Sequence, residues 1–231
     1  MFVEFRDRSQ LDKANVEDAL VELFYGRYGD IVMHGGTSIW RCYQGNRFSR
    51  DLDFYMKAGS QEERMVLYRE ISEFLKDKGF ALKEKGYDSS TNTMHFLVES
   101  NVKMKVDINF NYRKGTPVEY TKIDESRMII LALTPEELLS EKVEAYKDKL
   151  DRVRKFDEPE AQDLYDIYHL VQFVKKPSNK TVKALKSLLE RIRDSPPTNM
   201  RSLDHLIIAG LPPTFDLMIK NISAWLNAHK Q

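Results

Sequence analysis

Val32-Met33-His34-Gly35-Gly36-Thr37-Ser38-Ile39-Trp40, then after a short spacer Arg47-Phe48-Ser49-Arg50-Asp51-Leu52-Asp53-Phe54, is the stretch on which the reading of this chain turns. A short apolar run, 31–33, reads as a strand, and it breaks at once into Gly35-Gly36. Residues 37–43 read as the first turns of a helix. A strand that ends in glycines and opens a helix leaves backbone N–H groups at the positive end of a helix dipole, where the chain can approach a phosphate closely. By itself Gly-Gly is an ordinary turn. The second half of the stretch adds weight: residues 51–56 alternate acid, leucine, acid, phenylalanine. Side chains at i and i+2 of a strand share a face, so Asp51 and Asp53 converge while Leu52 and Phe54 face a core. Converging carboxylates repel unless a cation lies between them. Mg²⁺, which takes carboxylate oxygens together with substrate phosphates, suits such a pair.

Asp107 is a third candidate ligand. It sits in the alternating segment Lys103-Met104-Lys105-Val106-Asp107-Ile108-Asn109-Phe110, and a strand beside 51–53 would bring it to the same place. Three acids on two strands could hold two ions, which neutralise and orient a triphosphate during in-line displacement. Arg47 and Arg50 flank the acids and could reach a phosphate or partly neutralise the pair. Ser49 could orient a carboxylate or phosphate by a hydrogen bond.

Outward from this centre, residues 11–28 and 61–78 have helical apolar spacing, with Gly79 ending the second. Residues 80–133 read as successive strands. Thr134-Pro135-Glu136-Glu137 has the composition of a helix start, with Thr as cap and proline in the first turn. The rest reads as helices over 135–150, 160–174, 179–193 and 214–228, punctuated by Ser195-Pro196-Pro197 and Leu211-Pro212-Pro213. An α/β domain over 1–133 is therefore expected to be followed by a helical domain over 134–231.

The composition is that of a globular protein, 42% hydrophobic and 31% charged. No apolar run approaches the ~20 residues of a membrane span. Met1-Phe2-Val3-Glu4-Phe5-Arg6-Asp7 places charges where a signal peptide needs an apolar block, so a cytoplasmic location is expected. The single cysteine, Cys42, excludes an intrachain disulfide. Formal net charge is zero, but residues 175–231 carry 10 Lys/Arg against 4 Asp/Glu. That local excess suits a polyanion such as RNA, and equally suits a solvated helix face.

Together the two halves of the opening stretch resemble the AbiEii/AbiGii family of nucleotidyltransferase-like toxins, which includes the MenT toxins. The family signature joins Gly-Gly-Thr-x-Leu to Arg-x-Ser-x-Asp-Leu-Asp-Phe. Downstream, Glu141-Lys142-Val143-Glu144-Ala145 matches a Glu-Lys-x-x-Ala helix, and Asp163-Leu164-Tyr165-Asp166-Ile167 matches an Asp-Leu-Tyr-Asp-Leu element. With the acidic strand at Asp107, the motifs run from about residue 31 to 170. The resemblance implies an α+β, polymerase-beta-type nucleotidyltransferase sheet with flanking helices, followed by a helical bundle that completes the active site. It places Gly35, Gly36 and Thr37 on the nucleotide's phosphates, Asp51, Asp53 and Asp107 on metal, Lys142 on the triphosphate, and Asp163 in the shaping of the site. Two positions depart from the pattern: His34 stands where relatives often have Lys, and Gln162 where they often have Arg. Arg152 or Arg154 could supply the missing cation.

The implied activity is transfer of a nucleoside monophosphate from an NTP, with Mg²⁺ or Mn²⁺, to an RNA acceptor such as the 3′ end of a tRNA. It would make the chain the toxin of a toxin–antitoxin system, with a cognate antitoxin as partner. Asp107 is the acid best suited to deprotonate or position the attacking hydroxyl. The same residues would serve transfer onto a protein such as the antitoxin. A nucleotide-binding module with little turnover is the non-enzymatic alternative, although binding alone does not call for three acids.

Overall fold

Leu52 and Phe54 are fully buried, while Asp51 on the same strand is exposed and Asp53 half-buried, so strand alternation divides a core face from an open face. A computed structural model describes residues 5, 7–58, 60–151 and 161–229. The elements are α1 (Arg8–Arg27), β1 (Val32–His34), α2 (Gly35–Cys42), β2 (Asp51–Tyr55), α3 (Gln61–Asp77), β3 (Ala81–Asp88), β4 (Thr93–Glu99), β5 (Lys103–Asn109), β6 (Thr116–Thr121) and β7 (Arg127–Ala132). The helices α4 (Pro135–Asp151), α5 (Ala161–Leu170), α6 (Asn179–Asp194), α7 (Leu203–Leu206) and α8 (Phe215–Ala228) follow, with a 3₁₀ turn at Met200–Ser202. Contacts divide the chain into two compact units. One holds Phe5–Gln44 and Phe48–Leu133, and the other holds Gly45–Arg47 and Thr134–Gln231.

The first unit is built on a seven-stranded mixed sheet in the order β3-β4-β5-β2-β1-β7-β6. β2 runs parallel to β5 and antiparallel to β1, and β1 runs parallel to β7. The core face of the sheet presents Met33, Leu52, Phe54, Met94, Phe96, Val98, Met104, Val106 and Ile108, packed with Val16, Leu20, Val21 and Phe24 of α1 and Ile71 and Leu75 of α3. Caps fix the helix ends. Asp7 accepts from the Gln10 amide, which starts α1 three residues earlier than its apolar spacing suggests. Ser60 and Glu63 form a reciprocal capping box on α3. The Tyr25 hydroxyl donates to the Leu131 carbonyl at 2.6 Å and accepts from the Met33 amide at 3.0 Å, which ties α1 to β7 and β1.

Beneath α2 lies a buried ion cluster. Arg41 bonds Glu17 through Nε at 3.2 Å and Asp18 through a terminal nitrogen at 2.9 Å. Asp18 also accepts from the Tyr120 hydroxyl and the Ile123 amide. One guanidinium can balance one carboxylate, and Asp18 has the fuller set of donors. The other oxygen of Glu17, Oε2, is buried without a partner. Burial pushes the Glu17 carboxyl up to about 8, against the lowering pull of Arg41. The folded state therefore holds a proton that the unfolded chain releases near an ordinary glutamate pKa of ~4.3. Stability from this group is complete below that pH and declines as pH rises toward 8. Glu17→Gln is expected to flatten this decline and raise stability at pH 8 by at least about 1 kcal/mol, read from urea midpoints at pH 5 and pH 8. An unchanged pH profile would refute the neutral-acid assignment.

The second unit is helical. Thr134 and Glu137 cap α4 reciprocally, Thr134 Oγ1 accepting from the Glu137 amide and the Thr134 amide donating to Glu137 Oε2. α4 packs on α5 and α6, and α8 packs on the same two helices. Their shared core includes Leu138, Leu139, Val143, Leu164, Ile167, Leu185, Leu188, Ile192, Met218 and Ile222. The helix expected over 160–174 is shorter, because after Leu170 the chain tightens into i→i+3 bonds, Gln172 N to His169 O and Phe173 N to Leu170 O. Residues 45–47 pack with these helices: Ile208 N donates to Asn46 O, and Arg47 forms an isolated bridge with Ile207. The domain division expected at 133/134 did not anticipate this excursion.

Candidate active site

The open face of the sheet carries a row of titratable side chains set by register. Asp53 on β2 is the partner of Asp107 on β5 and of His34 on β1, and Asp107 is the partner of His95 on β4. His95, Asp107, Asp53 and His34 thus lie side by side across four strands. Asp51 is opposite Lys105 in the same lattice. Asp51 and Asp53 share a face, and Asp107 joins it, as the alternation requires.

Lys105 is the cation among these acids, and its importance was not read from the sequence. Its ammonium donates to Asp107 Oδ2 at 2.7 Å. Burial, which lowers its pKa, is overcome by that bond and by the charges of Asp107, Asp51 and Asp53, so the lysine is held more firmly protonated than usual. His95 Nδ1 lies 2.9 Å from the other oxygen, Asp107 Oδ1. With both oxygens of Asp107 engaged, the expected three-carboxylate site is not preassembled. Among the described residues no three His, Cys, Asp or Glu side chains are disposed to hold a metal ion by themselves. Asp51 and Asp53 remain a pair of hard oxygen donors. Two carboxylates completed by phosphate oxygens and water fit the way Mg²⁺ is held at nucleotide sites.

The glycine turn is shaped around Asp53. Gly35 has φ +71°, and a Cβ there would fall on the Asp53 carboxylate, 2.9 Å from Cγ. Only glycine lets the strand turn into α2 at this spot without displacing the acid. His34, the N-cap of α2, makes no side-chain cap bond. Its ring stacks on Tyr55 instead, with centroids 4.1 Å apart and planes 20° from parallel. Thr37, expected on the phosphates, is fully buried and donates its hydroxyl to the Asp51 carbonyl at 2.7 Å. That bond fastens the first turn of α2 to the start of β2, so its side chain positions the acids rather than meeting a ligand. Gly35→Ala is expected to abolish most transfer activity. The positive φ alone costs about 1–2 kcal/mol, which corresponds to a melting point roughly 2–8 °C lower. A wild-type rate in this variant would show that the close approach is dispensable.

Ser49 is buried ahead of β2, and Arg50 is exposed. Burial pushes the Cys42 thiol up to about 12, which makes it a poor nucleophile.

In the helical unit, Lys142 and Asp163 meet, with Asp166 as a third member. Lys142 Nζ is 2.8 Å from Asp166 Oδ2 and 3.3 Å from Asp163 Oδ1. Lys149 Nζ lies 2.6 Å from Asp163 Oδ2. Arg47, expected on a phosphate, instead grips Asp166 in a two-pronged pair, Nε to Oδ1 at 2.8 Å and a terminal nitrogen to Oδ2 at 2.9 Å. Burial would raise the Asp166 carboxyl, but Arg47 and Lys142 outweigh it and bring it down to about 2. Asp163 is likewise held low, burial being outweighed by Lys142 and Lys149. Lys142 is raised, since the two acids overcome its burial. Arg152 and Arg154, the expected substitutes for a cation at position 162, lie outside the described residues. Asp163 and Asp166, one helical turn apart, share Lys142, and Lys149 and Arg47 as their further partners could not be read from the sequence.

Mixed sheet, flanking helices and a glycine turn beside an acid pair together define a nucleotidyltransferase. The chain belongs to the AbiEii nucleotidyl transferase toxin family of type IV toxin–antitoxin systems, which it matches over residues 20–223. The fold is similar to that of JHP933 from Helicobacter pylori, with a TM-score of 0.64 and 15% identity over 96% of this chain and 92% of that one. A second Helicobacter pylori protein, described as a candidate nucleotidyltransferase, superposes with a TM-score of 0.61 at 16% identity, covering 96% of this chain and 95% of its own. No protein of curated function matches the chain in sequence. Among the described residues no helix is long and apolar enough to cross a membrane.

Proposed function

We propose that the protein transfers a nucleoside monophosphate from an NTP to the 3′-hydroxyl of an RNA, releasing pyrophosphate, in the cytoplasm, as the toxin partner of an antitoxin. The observation that carries this reading is the acid pair on the open sheet face, with Gly35 moulded against Asp53. Asp51 and Asp53 would hold Mg²⁺ or Mn²⁺, which neutralises charge on the triphosphate and orients its α-phosphorus. The backbone at Gly35-Gly36, opening α2, offers N–H groups to a phosphate. Within the helical unit, Arg47, Lys142 and Lys149 face Asp163 and Asp166, an excess of one positive charge among the described residues. That excess suits an anion, and Lys142 is assigned as the fixed countercharge. Asp107, held by Lys105 and His95, is assigned to receive or align the proton of the attacking hydroxyl. Positioning and charge neutralisation supply most of the rate in such a reaction, so no covalent intermediate is needed.

The test is incubation with α-phosphate-labelled NTPs, Mg²⁺ and total tRNA. Label on RNA supports the proposal. Label on protein identifies a protein acceptor instead, and NTP binding without transfer reduces the protein to a nucleotide-binding module.

A further inference from the structure

The open sheet face continues past the acids into a surface of different chemistry. Tyr55 follows Asp53 by two residues on the same face of β2, roughly 7 Å along the strand. Its ring has two neighbours: His34 stacks on it with centroids 4.1 Å apart, and the Arg113 guanidinium sits 5.6 Å from its centroid. Beside this column, the Lys57 ammonium lies 4.6 Å from the Tyr112 ring. Lys57, Arg113 and Lys114 are exposed. The two segments that supply them, 56–58 and 110–115, contain no acidic residue. The surface is therefore cationic and aromatic, and it adjoins an acidic face.

The loop that carries Arg113 and Lys114 is held in place from below. Asn111 accepts from Asn92 Nδ2 at 3.1 Å and donates through Nδ2 to the Thr91 carbonyl at 3.2 Å, and its amide donates to Asn109 Oδ1 at 2.8 Å. Asn109 itself donates to Thr91 and Thr93. A fixed loop presents its charges with little ordering cost on binding.

We infer that Lys57, Tyr112, Arg113 and Lys114 form the docking surface for the unpaired 3′ end of a polynucleotide acceptor, an inference that rests on the RNA reading above. Single strands are recognised by a cationic track for phosphates together with planar groups on which splayed bases stack. Tyr112 offers the ring for a base, and Arg113, its guanidinium 5.6 Å from the Tyr55 centroid, adds a planar cation beside it. Lys57 and Lys114 supply the phosphate track. The neighbouring acids would hold the nucleotide's metal, so the surface brings the acceptor terminus alongside the reacting phosphate. An acidic peptide would use the cations but brings no base to lay on the Tyr112 ring.

Two measurements on the full chain test this. The first is binding of a fluorescein-labelled single-stranded oligoribonucleotide of about ten nucleotides, followed by anisotropy across a salt series. Tyr112→Ala is expected to weaken binding about tenfold and Tyr112→Phe to restore it. Lys57→Ala and Arg113→Ala should each reduce the slope of log affinity against log salt by about 0.7. The second is steady-state label transfer, in which Arg113→Ala should raise KM for RNA about tenfold and leave KM for the NTP within about twofold. Unchanged oligonucleotide affinity and salt slope in all three alanine variants overturn the surface, as does a rise in KM confined to the NTP. If the wild-type protein labels no RNA but the variants still lose oligonucleotide affinity, the surface stands and the transfer reading falls.

Discussion

Asp53→Asn is expected to lower kcat for nucleotidyl transfer at least about 10³-fold while leaving the melting point within about 2 °C of wild type. The substitution keeps the shape of the side chain and removes one of the two charges that would hold the divalent cation. A cation neutralising a triphosphate contributes several kcal/mol to transition-state stabilisation, and each 1.36 kcal/mol is tenfold in rate. Stability should change little because Asp53 lies on the open face and removing it relieves repulsion with Asp51. Asp51→Asn should behave alike. Label transfer at saturating NTP, with thermal denaturation as the control, reads both quantities. If either variant kept more than a tenth of the wild-type rate, the metal assignment would be wrong.

Arg47→Met is expected to have the largest effect on stability, about 3–5 kcal/mol, corresponding to a melting point roughly 6–20 °C lower. Asp166 is 1% exposed, and the variant leaves its charge with Lys142 alone, which is already shared with Asp163. Adding Asp166→Asn should return part of the loss, because the stranded charge is then gone. The pair also predicts an acid transition. A carboxyl held at about 2 in the folded protein contributes stability that is complete above the ordinary value near ~3.9 and is lost as pH falls from there through about 2. Arg47→Met should shrink that acid-dependent part. Chemical denaturation at pH 7 and pH 3 measures it, and a loss under 1 kcal/mol at pH 7 would mean that the pair is not buried in solution.

These two residues also mark how far the sequence could be read. Asp51 and Asp53 were legible because a strand has a period of two, so the residues between them declared which face was core. Helix starts such as Thr134-Pro135 were legible because capping chemistry is local. Arg47 was not, since it lies four positions before Asp51 and looks like a phosphate ligand, but its partner is 119 residues away. Thr37 was misread for a related reason: its hydroxyl bonds a backbone carbonyl that only folding brings near. Lys105 and His95 escaped notice because their meaning depends on the register of β4 and β5 with β2. Local pattern gives the period of a strand, but not the residue that comes to lie opposite.

The placement of residues 45–47 among the C-terminal helices has a consequence in time. A ribosome adding about 5–20 residues per second incorporates Arg47 some 6–24 s before Asp166. Through that interval the segment leading into Ser49 and Asp51 lacks the carboxylate that anchors it, and Asn46 lacks the Ile208 amide. The anchor for residues 45–47 is therefore complete only once α5 and the segment around Ile208 have been made.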